Sequence, residues 1–166
     1  MMIIGFSTSS SLLSRIIRWA TNSKVSHSYA VFDTDGGRLV IHSNISGVNT
    51  DHYIKFMKLH DIISEYAILV SEDLVKKACT CGMEKLDASY DFCALIGFGW
   101  VVLNRLMGRK IRNPFRNKSA YFCSELILMM LRAMGVQEAF KMGQETTSPE
   151  DLIQLLDKLP FAKRII

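Results

Sequence analysis

Two β-rich runs, Ser26 to Phe32 and Arg38 to Ser43, flank the segment Asp33-Thr34-Asp35-Gly36-Gly37. Asp-Gly between branched and aromatic residues is a strong short-range hairpin signal, because glycine accepts the positive φ that a tight turn demands. The hairpin constrains the chain because each run carries one histidine, His27 and His42. A two-residue turn at Asp35-Gly36 pairs Tyr29 with His42 and leaves His27 one pair further along. A turn at Thr34-Asp35 pairs His27 with His42 directly. Side chains alternate across a sheet, so either even-length register puts both imidazoles on one face. A three-residue loop puts them on opposite faces.

The rest of the chain reads as one α+β domain over residues 1–166, long enough to bury its own core. With 49% apolar and 22% charged residues, the composition is that of a globular chain rather than a disordered one. Met2 to Phe6 reads as a strand, followed by a serine-rich cap and a helix from Leu12 to Ala20. Further strands are expected at Ile54 to Lys58 and Tyr66 to Val70, and a helix from Asp73 to Leu86 with Leu74, Val75, Ala78 and Cys79 inward. Asp91 to Met107 is the most apolar stretch. Its uncharged centre, Phe92 to Leu103, is too short to span a bilayer and reads as a buried helix. A helix beginning near Cys123 stops at Gly135, and Ser148-Pro149 opens the last one.

The cysteines are Cys79, Cys81, Cys93 and Cys123. A domain of this size does not need disulfide staples, and Met1 to Phe6 lacks the basic leader of a secretory signal, with Arg15 and Arg18 interrupting the region behind it. Reduced thiols and a cytoplasmic location follow as expectations. Cys79-Thr80-Cys81 has neither the spacing nor the second pair of a metal site. Cys123 differs, because it opens the run Cys123-Ser124-Glu125-Leu126-Ile127-Leu128 at a helix start.

A thiol at a helix N-terminus and an imidazole on a strand are the minimum for a cysteine nucleophile. A free thiol, pKa about 8.5, is mostly protonated at neutral pH, and the helix's positive end together with an imidazolium is expected to lower that value. In this scheme Cys123 attacks a carbonyl carbon and His27 carries the proton. His42 orients His27, and backbone N–H groups at the helix start receive the oxyanion. Tyr29, Tyr121 and Glu125 are the expected substrate-binding residues. A zinc site from His27, His42 and Cys123 lacks an evident fourth ligand, so neither metal nor cofactor is expected. His52 and His60 read as solvated, with His60-Asp61 as a weaker dyad.

The order of strand-His, second strand-His and Tyr-Phe-Cys-Ser-Glu-Leu helix resembles the circularly permuted NlpC-like papain-fold cysteine hydrolases, with a layout related to lecithin retinol acyltransferase. The likeness extends to Tyr90-Asp91-Phe92 and to the closing Ser148-Pro149-Glu150-Asp151-Leu152. It implies a papain-like (permuted NlpC-type) fold with a small antiparallel sheet packed against helices. It also implies Cys123 as nucleophile, His27 as base and His42 as third polar residue. The implied activity is thiol-dependent hydrolysis or acyl transfer at an amide, ester or thioester, through a Cys123 thioester, on a lipid or other acyl compound. Peptide, isopeptide or peptidoglycan stem bonds are the alternative substrate. A non-catalytic ligand- or lipid-binding module on the same scaffold is the alternative of a different class.

The net charge of +4 is mild, but Arg109, Lys110, Arg112, Arg116 and Lys118 concentrate it beside the apolar stretch. That cluster suits contact with an anionic membrane surface. Nucleic acid is not expected, because no set of stacking aromatics accompanies the charge.

Overall fold

The computed structural model describes residues 1–21, 23–88, 104, 108–109, 122–144 and 146–166. The expected apolar helix at 91–107, apart from Asn104, lies outside the described residues, as do Cys93, Tyr121, Lys110, Arg112, Arg116 and Lys118. No helix among the described residues is long and apolar enough to cross a membrane.

The elements run β1 (Met2–Thr8), α1 (Leu12–Thr21), β2 (His27–Thr34), β3 (Gly37–Asn44), β4 (Gly47–His52), α2 (Tyr53–Met57), β5 (Asp61–Ile68), α3 (Glu72–Met83), α4 (Cys123–Ala133), α5 (Gln137–Lys141), α6 (Pro149–Leu156) and β6 (Ala162–Arg164). The six strands form one antiparallel sheet in the order β4-β3-β2-β1-β5-β6. The class is α+β, as expected. The β2–β3 hairpin closes through Thr34 opposite Gly37, so Asp35-Gly36 is the two-residue turn and Tyr29 lies opposite His42.

Both faces of the sheet are covered, each by its own apolar set. Met2, Ile4 and Phe6 of β1 and Ala30 and Phe32 of β2 pack with Leu126, Leu128 and Met130 of α4 and Leu152 and Leu156 of α6. The opposite face carries Ile3, Tyr29, Val31 and Val40 under Tyr53 and Phe56 of α2. Period-two alternation therefore sends successive β2 residues into different cores. Ser28 belongs to the α4 side, and His27 and Tyr29 to the α2 side.

The helix α4 is buried along most of its length, since it is wedged between the sheet and α3. Each of its fully buried leucines contributes on the order of 1.5–3 kcal/mol by leaving water. Its C-terminus is closed by Gly135 at φ 82°, a left-handed conformation that a side chain disfavours. α6 starts as expected, with Ser148 Oγ accepting from Asp151 N–H at 3.1 Å and Pro149 in the first turn.

Five elements differ from the sequence reading, which included neither α5 (Gln137–Lys141) nor β6 (Ala162–Arg164). The segment expected as a strand at Ile54 to Lys58 is the helical turn α2, which buries Tyr53 and Phe56 three residues apart. β5 begins at Asp61 rather than Tyr66. β4, Gly47–His52, was not foreseen, because its sequence GVNTDH has no apolar alternation.

Candidate active site

The hairpin brings the two histidines together diagonally. His27 is the first residue of β2, and its Nε2 lies 3.1 Å from His42 Nδ1. The rings meet nearly at right angles with centroids 5.3 Å apart. His42, only 1% exposed, turns its other nitrogen to Asp51 on β4, with Nε2 3.2 Å from Asp51 Oδ2. Lys55 of α2 donates to the second carboxylate oxygen, Oδ1, at 2.9 Å. Lys55, Asp51, His42 and His27 thus form one polar chain from the surface to the end of β2.

Burial pushes His27 well below the usual imidazole range, and the neighbouring His42 and His60 push the same way. His42 is also lowered by burial, against an upward pull from Asp51. Burial alone would raise Asp51, but Lys55 and His42 together hold its carboxyl below the ordinary carboxylate range. Asp51 is therefore an anion at neutral pH and both imidazoles are neutral.

His60 departs from the expectation of a solvated side chain. It is part-buried and stacked on Phe56, with centroids 4.0 Å apart and planes 9° off parallel. It also stacks on His27 at 5.5 Å. Its Nδ1 sits 3.1 Å from the Phe56 carbonyl oxygen. Three imidazoles and one phenyl ring pack at this end of the sheet, where the turn after α2 folds His60 back over Phe56.

Cys123 is the first residue of α4 and is 6% exposed. Ser124 Oγ donates to the Thr147 carbonyl at 2.6 Å, which ties the start of this helix to the loop before α6. Burial pushes the thiol up from its ordinary value, against the downward pull of the Ser28 N–H and hydroxyl and of the N–H groups of Ser124 and Cys123. This corrects the expected direction. The helix end and the neighbouring donors do stabilise a thiolate, but desolvation outweighs them. The Ser28 hydroxyl is completely buried and satisfies no oxygen or nitrogen partner.

Cys123, His27 and His60 line one cavity of about 250 Å³. Thr8, Ser14 and Ser26 line it too, with Ser14 Oγ 3.0 Å from Thr8 Oγ1 and 2.6 Å from Ser26 Oγ. Cys123 reaches the cavity from the α4 side of the sheet, under Ser28. His27 reaches it from the α2 side. Both therefore line the same space, at the end of β2 where that strand begins.

Two expected substrate contacts are corrected. Tyr29 is fully buried under Phe56 and donates to Glu65 Oε1 at 2.8 Å, so it belongs to the core. Tyr53 donates to the same oxygen at 2.7 Å, which accounts for a carboxylate only 2% exposed. Glu125 is also buried, and its Oε2 accepts from the Phe122 N–H at 3.4 Å, closing the first turn of α4 rather than facing the cavity. Tyr121 lies outside the described residues. The sequence reading missed Asp51 and the stacked position of His60. Asp51 carried a signal only if β4 had been recognised, since it acts across the β3–β4 pair.

No family model matches the chain, and no curated protein matches it. Among solved structures it is similar to the crystal structure of the metalloprotein yiiX from Escherichia coli O157:H7, with a TM-score of 0.68. The match covers 99% of this chain and 94% of that one at 16% identity. The two proteins share a fold.

Proposed function

We propose that this chain is a thiol-dependent hydrolase or acyltransferase on a permuted papain-like scaffold, with Cys123 as nucleophile and His27 as base. The observation that supports it most is the shared cavity. A cysteine at a helix N-terminus and a histidine held by a second histidine open onto the same space. His27 takes the thiol proton as the sulfur attacks a carbonyl carbon of an amide, ester or thioester. The N–H groups of Cys123 and Ser124 face the developing oxyanion. As the tetrahedral adduct collapses, His27 returns the proton to the leaving nitrogen, oxygen or sulfur, and a thioester remains on Cys123. Water or another nucleophile then gives up a proton to His27, attacks the thioester and restores the thiol.

A neutral thiol beside a neutral imidazole suits this scheme, because the base is already in the form that accepts a proton. A lipid or other small acyl compound is the first substrate class, and a peptide, isopeptide or peptidoglycan stem bond the second. The fold neighbour is described as a metalloprotein, but the described residues of this chain contain no group of three His, Cys, Asp or Glu side chains arranged to hold a metal ion. His27 Nε2 and both His42 nitrogens are already engaged with one another and with Asp51. The described residues therefore do not form a set that fits a metal, and no step is routed through one.

The test is turnover of p-nitrophenyl butyrate with intact-mass detection of an acyl adduct. Wild type should accumulate one butyryl group on the peptide containing Cys123. Cys123→Ala and His27→Ala should form none. An adduct that persists in Cys123→Ala, or fails to form in wild type while Cys123 alkylates like Cys79 and Cys81, would leave the binding-module reading in its place.

A further inference from the structure

Hydrogen-bond donors and acceptors along the chain from Lys55 to His27 can be assigned by elimination. An ionised carboxylate only accepts, and an ammonium only donates. Lys55 Nζ donates to Asp51 Oδ1, and Asp51 Oδ2 is left to accept from His42 Nε2. His42 then carries its proton on Nε2, and its Nδ1 is a bare lone pair. Among the described residues the partner of that lone pair is His27 Nε2, at 3.1 Å, which donates. A neutral imidazole has one N–H, so His27 Nδ1 is left unprotonated.

We propose that Asp51 is a positioning residue that selects, through His42, the tautomer of His27 whose Nδ1 is free to accept a proton. Its catalytic meaning rests on the thiol reading above, but the tautomer itself does not. Asp51 touches neither the cavity nor the thiol. It acts at a distance of two side chains, because each imidazole passes on the donor or acceptor character it receives. Reversing the first link reverses every later one. His60 does not enter the chain, since its Nδ1 faces the Phe56 carbonyl and it meets the other rings by stacking on His27 and edge-on at His42.

Asp51→Asn makes the reversal specific. Lys55 keeps the amide oxygen on its own side, so the NH₂ group is presented to His42 Nε2. His42 must then accept there and carry its proton on Nδ1. His27 Nε2 becomes the acceptor, and His27 Nδ1 is protonated. In catalytic triads a substitution that installs the wrong tautomer costs about 10⁴-fold in turnover with the geometry intact. One intervening imidazole makes a loss of roughly 10²–10⁴-fold the expectation here.

The experiment is long-range ¹H–¹⁵N correlation of the imidazoles in the ¹⁵N-labelled full chain at pH 7.5, in wild type, Asp51→Asn and Asp51→Glu. The expected result is Nε2–H on both His27 and His42 in wild type, Nδ1–H on both in Asp51→Asn, and the wild-type pattern in Asp51→Glu. Iodoacetamide alkylation of Cys123 should slow at least tenfold in Asp51→Asn alone. A wild-type His27 protonated on Nδ1 overturns the proposal. So does an Asp51→Asn variant whose two tautomers are unchanged. If the tautomers switch while Cys123 alkylates no faster than Cys79 and Cys81 in wild type, the positioning role stands and the thiol-enzyme reading falls.

Discussion

His27 and His42 are joined by one hydrogen bond, Nε2 to Nδ1 at 3.1 Å, across a hairpin whose register places Tyr29 rather than His27 opposite His42. The contact is therefore diagonal, and both rings stay on the α2 face while the cysteine helix packs the other. His42 bonds to His27 from within the sheet, and His27 also lines the cavity that Cys123 lines.

Acid should destabilise the protein through these two rings. Both imidazoles fold into sites that lower their affinity for protons from the ordinary value of 6.5. Below about pH 6.5 the unfolded chain takes up protons that the folded chain refuses, so stability falls as pH drops through that value. Each such proton contributes a slope of about 1.4 kcal/mol per pH unit. Urea midpoints between pH 5 and 8 should rise with pH and flatten above 7, and the slope should be shallower in His27→Asn.

Alkaline conditions should act through the thiol. Cys123 folds with its pKa raised above the ordinary 9.0, so the folded chain holds a proton that the unfolded chain releases. Stability is then lost as pH rises above about 9. Cys123→Ala should remove part of that loss, as read from thermal midpoints between pH 8 and 10.

Ser28→Ala should separate the thiol's chemistry from the fold. The Ser28 hydroxyl is buried without an oxygen or nitrogen partner, so its removal leaves no oxygen or nitrogen group unpaired and should change stability by less than about 1 kcal/mol. It also removes a donor facing the sulfur. The pH midpoint for Cys123 alkylation, followed by peptide mass spectrometry, should move upward in the variant.

Tyr29→Phe should behave in the opposite way. Tyr29 shares the buried Glu65 oxygen with Tyr53, and losing one donor should cost about 1–3 kcal/mol in chemical denaturation. Cys123 alkylation should keep its wild-type rate. A substrate-binding tyrosine would instead shift ester turnover with little effect on stability.

Gly5 lies opposite Tyr29 on β1, and a Cβ there would overlap the Tyr29 ring. Gly5→Ala should therefore cost about 1–3 kcal/mol as an overpacked contact, measured by its thermal midpoint.

The hairpin, the helix stop at Gly135 and the Ser148-Pro149 helix start were legible in the sequence, whereas the hairpin register was open between two even turns and an odd one until the structure set it. Each depends on residues within a few positions of one another, where turn geometry, capping and side-chain alternation act locally. The convergence of His27 with His42 belongs with them, since one tight turn separates the two strands. The six-residue β4 was not legible, because a polar strand has no hydrophobic signature. Asp51 remained hidden with it.

What only the tertiary structure decided are the properties set by distant neighbours. Tyr29 and Glu125 were expected among the substrate contacts. Period-two alternation and a buried first helical turn carry them into the core instead. The direction of the Cys123 shift turned on how completely the sheet and helices exclude water from the sulfur, against donors that the helix start supplies. Sequence determined which groups the chain owns and which ends of local elements they occupy. Tertiary structure decided their solvation and their partners, because desolvation and hydrogen bonding depend on atoms brought together from across the chain.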